Sequence, residues 1–82
     1  MEKVIDTIPI YGPEKPDGSK DLWGVDVIVA ITHASGVGKV HQTFIGSTPF
    51  ESGSEAWHNF VEDAVRKAPD QAYKENAVVR KR

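Results

Sequence analysis

The block from Leu22 to Lys67 constrains the fold more than any other part of the chain: a strand, a glycine turn, a second strand and an amphipathic helix follow one another without interruption. Leu22 to Thr32 is its clearest piece. Trp23, Val25, Val27, Val29 and Ile31 fall on one face of an extended chain, and Leu22, Gly24, Asp26, Ile28, Ala30 and Thr32 on the other, because successive side chains of a strand alternate. The β-branched row predicts the core face of a central strand. Ala34 to Gly38 reads as the turn and Lys39 to Ile45 as the returning strand. A two-residue loop at Ser35-Gly36 or a four-residue loop from Ser35 to Gly38 sets Val40, Gln42 and Phe44 opposite the odd-numbered valine row, whereas an odd loop sets His41 and Thr43 there. The first family is preferred, since it places Phe44 beside the valines.

After Gly46-Ser47-Thr48-Pro49, two helix starts compete. One has Thr48 as N-cap with Pro49 following, and the other has Ser52 as N-cap with Glu55 three residues on. Gly53 costs about 1 kcal/mol inside a helix relative to Ala, which favours a short turn at 48–51 and a main helix over 53–67. Trp57, Phe60, Val61, Ala64 and Val65 recur at spacings of three and four and form its buried face. Glu62 with Arg66 and Asp63 with Lys67 are four-residue ion pairs on the opposite face. Pro69 is expected to end the helix, leaving 70–82 as a basic-ended segment with a short helical turn and a last strand at 77–80.

Upstream, Val4 to Ile10 alternates as a first strand, and Pro9 assigns it to an edge because proline cannot donate to a ladder. The stretch from Gly12 to Asp21 reads as a long polar loop. The expected fold is therefore a single α+β domain over 1–82, with an antiparallel sheet of three or four strands and one helix on one face, in the order β-β-β-α. Its other face would carry Ile5, Ile28, Ala30, Thr43 and Ile45, apolar enough to favour a partner.

Composition narrows the function classes. No cysteine is present, so stability must come from burial rather than disulfides or thiolate metal sites. No apolar run approaches the ~20 residues needed to span a bilayer, and the N-terminus meets Asp6 and Pro9 before a signal-like stretch develops, so a cytoplasmic location is expected. A net charge of −2 disfavours a nucleic-acid binder. The basic residues Lys74, Arg80, Lys81 and Arg82 are the local exception.

The motifs that suggest chemistry do not complete it. Ser35-Gly36-Val37-Gly38-Lys39 resembles the end of a phosphate-binding loop, but His33 stands where its first glycine belongs and Val40 where a Ser or Thr would bind magnesium. It also opens a strand rather than a helix. His33 and His41 point to opposite faces in the preferred register, and Glu55-Ala56-Trp57-His58 has a metal-helix spacing without the second helix such sites require. Ser47, Ser52 and Ser54 read as loop or cap residues rather than nucleophiles. Neither a metal, a cofactor nor an enzyme is expected. Double-stranded RNA-binding domains also place strands before a helix, but their helix start carries lysines where Ser52-Gly53-Ser54-Glu55 stands here.

The expectation is thus a small non-catalytic binding protein that occludes a surface of a larger complex, a role common among phage and mobile-element inhibitors of nucleic-acid-binding effectors. Candidate contacts are Tyr11, Glu14, Lys15, Asp17, Lys20 and Trp23 around the loop, and Glu51, Glu55, Glu62 and Asp63 as an acidic surface facing a basic groove. The alternatives are weak nucleic-acid binding through Lys74, Arg80, Lys81 and Arg82, or a structural subunit that self-associates through the free sheet face.

Overall fold

The computed structural model describes residues 2–33 and 36–80, without the side chains of 33 and 76–80. Three strands, β1 (Glu2–Glu14), β2 (Lys20–His33) and β3 (Gly36–Phe50), precede one helix, α1 (Glu55–Arg80). They form an antiparallel sheet in the order β1-β2-β3, so the valine-rich strand is central. Val25, Val27, Val29 and Ile31 are buried in one row against Ala64, Ala68 and Ala72 of the helix. Each such side chain contributes about 1.5–3 kcal/mol. The preferred parity holds: Val25 pairs with Phe44, Val27 with Gln42 and Val29 with Val40.

The turn itself sits earlier than expected. Pairing extends to His33 opposite Gly36, so Gly36-Val37-Gly38 is strand, while Ser35 lies outside the described residues. Similarly, the polar loop narrows from 12–21 to the five residues between Glu14 and Lys20. There the Gly18 N–H donates to the Lys15 carbonyl (2.8 Å) and the Lys15 N–H to the Ser19 carbonyl (2.7 Å), with Gly18 at φ +86°. Pro16 and Asp17 occupy the centre of this turn, positions that suit their restricted φ and short polar side chain.

The helix departs most from the sequence expectation. It begins at Glu55, two residues from the expected start at 53, but its N-cap is Ser54 rather than Thr48 or Ser52: the Trp57 N–H donates to the Ser54 hydroxyl (3.2 Å) and the His58 N–H to the Ser54 carbonyl (3.1 Å). Thr48 and Pro49 belong to β3, and Gly53, at φ +76°, makes the turn ahead of the cap. At the other end α1 passes through Pro69 and continues to Arg80 in place of the expected stop, short helical turn and last strand at 77–80. Pro69 deletes one backbone bond, but Ala68 and Ala72 on either side of it are both buried on the valine row. Their packing holds the helix on course across the proline. Near the helix start, where the seam widens, Phe50, Trp57 and Phe60 fill the gap with ring centroids 4.8–5.9 Å apart.

Candidate interaction surface

Opposite residues in a ladder share a face, so the register identifies what the helix leaves uncovered. From one end to the other, the rows are Lys3–Ala30–Lys39, Asp6–Ile28–His41, Ile8–Asp26–Thr43 and Ile10–Gly24–Ile45. Ile45 is 62% exposed and Ile8 45%. The expected residues Ile28, Ala30, Thr43 and Ile45 are all on this face, and Ile5 is exposed at a register shift between Val4 and Asp6.

At the edge of this face the alternation inverts. Leu22 pairs with Phe50 but Gly24 with Ile45, so two residues of β2 span five of β3, and the ladder to β1 shifts as well. Leu22 is consequently buried and Trp23 is 44% exposed, the reverse of the faces assigned by simple alternation. The Trp23 indole lies over Gly12, where a Cβ would collide with it. Gly46, Ser47, Thr48 and Pro49 bulge out beside it, and with Trp23 and Ile45 they line a groove of about 160 Å³. This is below the ~300–1,000 Å³ of small-molecule sites. It fits one or two apolar side chains.

In mid-face, Asp26 accepts a hydrogen bond from Thr43 Oγ1 (3.3 Å) and its other oxygen lies 2.5 Å from His41 Nδ1. Thr43 Oγ1 thus bonds the carboxylate, whereas nucleophilic catalysis needs a hydroxyl bonded to the imidazole. Among the described residues no three His, Cys, Asp or Glu side chains cluster to hold a metal.

The loop candidates separate into two groups. Trp23 stands at the apolar end of the face, whereas Tyr11, 56% exposed, is paired with the buried Leu22. Glu14, Lys15, Asp17 and Lys20 cluster at the hairpin tip, where Lys15 pairs with Asp21 (3.0 Å), raising the lysine pKa. Asp17 accepts from the Ser19 hydroxyl (2.6 Å) and N–H (2.9 Å), which hold its carboxyl below the usual range.

The acidic candidates lie on the helix and just ahead of it. Glu51 follows β3, Glu55 is in the first helical turn, and Glu62 lies 3.5 Å from His58. Asp63 is bound by Lys67 (2.7 Å) and Arg66 (3.2 Å), its carboxyl lowered chiefly by the Lys67 bond. Lys74 pairs with Asp70 (3.1 Å), while the Arg80 side chain and Lys81 and Arg82 lie outside the described residues. A depression of about 430 Å³ over Val61, Glu62, Val65 and Arg66 is bounded by one helix only. Sequence reasoning missed Ile8 and the Gly46–Pro49 bulge; a doublet of glycine and proline flanking a strand end was the available signal for the latter.

No helix among the described residues is long and apolar enough to cross a membrane. Compared with protein-family models, curated proteins and solved structures, the chain matches none.

Proposed function

We propose that this chain is a non-catalytic binding module that docks a protein partner on the uncovered sheet face, at the end built by Trp23, Ile8, Ile45 and the Gly46–Pro49 bulge. The supporting observation is that exposed apolar side chains gather on that face beside a groove sized for a protruding apolar side chain. Such surfaces favour association because contact removes apolar area from water. The partner is accordingly a protein segment with one or two large apolar side chains, such as the apolar stripe of an amphipathic helix. Action by occlusion, as for a phage or mobile-element inhibitor of a nucleic-acid-binding effector, is the finer form of this reading. The helix exterior supports it less, since Asp63 is already matched with Lys67 and Arg66.

The test compares capture by wild type, by Ile8→Lys with Trp23→Ala, and by Glu62→Lys with Asp63→Lys, after circular dichroism has confirmed folding. A partner kept by wild type and by the helix variant but lost by the sheet-face variant is expected. Loss with the helix variant alone refutes this docking site.

A further inference from the structure

The sheet has two edges, and they are not equivalent. On β1, Pro9 and Pro13 remove backbone donors and three register shifts interrupt the strand, devices that blunt an edge against pairing. On β3, Gly36 to Ile45 pairs residue for residue with His33 to Gly24, without a shift or a proline, and Lys39 is its only fixed charge. Among the described residues no loop or cap backbone bond reaches this stretch. We infer that the β3 edge pairs with β3 of a second copy of this chain, antiparallel about a twofold axis at His41.

The second copy is selected by self-complementarity. A twofold antiparallel pair must be centred on one residue, and His41 has four regular ladder residues on each side, Val37 to Ile45. This register sets Val37 (73% exposed) opposite Ile45 (62%) twice, and Lys39 opposite Thr43. Centring on Val40 instead brings Lys39 to His41, and centring on Gln42 brings Lys39 to Ile45 and leaves Val37 against Ser47. Cross-strand apolar pairs stabilise a ladder, and of these registers the one centred on His41 pairs the exposed Val37 and Ile45 with each other. Space also permits the pairing. At about 4.8 Å per strand, the two helices lie roughly 14 Å apart on the same face, beyond the 8–10 Å of helices in contact. The product is a continuous six-stranded sheet. Its bonds are made by a strand edge, and of the residues proposed for the partner it shares Ile45 alone, so the cross-linking below tests it separately from that reading.

The chain has no cysteine, so single-cysteine variants report the register directly. Facing Cα atoms in an antiparallel ladder are about 4.5–5.5 Å apart, within disulfide range. Under mild oxidation His41→Cys is expected to give a covalent dimer; Thr43→Cys alone should not cross-link, but should do so when mixed with Lys39→Cys. Sedimentation of wild type, which needs no substitution, should show a concentration-dependent dimer. A wild-type monomer at about millimolar concentration overturns the inference, as does a Thr43→Cys chain that cross-links as readily as His41→Cys.

Discussion

Replacing Pro69 with Ala tests the feature on which the helix depends most. In α1 this residue has four turns of helix before it and continues into three more, so its ring and missing N–H act as in a helix interior, where proline costs about 3 kcal/mol relative to alanine. Alanine restores the bond to the Val65 carbonyl, four residues back. Against that gain, the unfolded chain recovers freedom that proline denied it, worth about 0.4–1 kcal/mol. The net expectation is a stabilisation of about 2 kcal/mol. For a domain of this size, whose total stability is about 4–12 kcal/mol, that raises Tm by roughly 8–16 °C. Thermal and urea unfolding followed by circular dichroism at 222 nm measure it, with Pro49→Ala in β3 as the comparison. An unchanged or lowered Tm in Pro69→Ala would refute a helix continuous through 69 and would restore the proline as its terminator.

Three further outcomes follow from the packing and the caps. Ser54→Ala removes the acceptor for the Trp57 N–H and should cost about 1 kcal/mol by urea denaturation; a loss below about 0.3 kcal/mol would place the cap elsewhere. Ala68→Leu puts three carbons into a seam with no exposed surface and should cost about 1–3 kcal/mol, whereas Leu at exposed Ala56 should change stability by less than about 0.5 kcal/mol. Asp17 and Asp63 have carboxyls lowered from 3.8 on folding, so their contribution is full above that value and is lost as pH falls through the lower folded one. Asp17→Asn with Asp63→Asn should therefore flatten the acid side of the stability–pH profile; an unchanged acid limb would show that these bonds contribute nothing in solution.

The order of elements, the valine row as core, the parity of the second hairpin and the apolar helix face were legible because each is a local periodicity. Alternation of two, from Val25 to Ile31, and spacing of three and four, from Trp57 to Ala64, survive in the fold unchanged. Most of the apolar sheet face was legible for the same reason. Its Trp23 end was not, because the register shift between Leu22 and Gly24 is set by how β3 accommodates Gly46 to Pro49, a pairing that no short window of sequence contains. Ile8 was hidden likewise by the shift at Ile5, which exchanges the faces of Asp6 to Ile10 on β1.

Pro69 shows the same division from the energetic side. Its local preference is to stop a helix, and the sequence alone determined that preference. Ala68 and Ala72 reach the valine row only if the helix continues, and tertiary burial decided the matter because it acts on both residues at once while the proline removes one bond. The chain's own residues determined what each segment prefers. Pairing across the sheet and packing against it decided which preferences were overruled, and which sheet face the helix left uncovered.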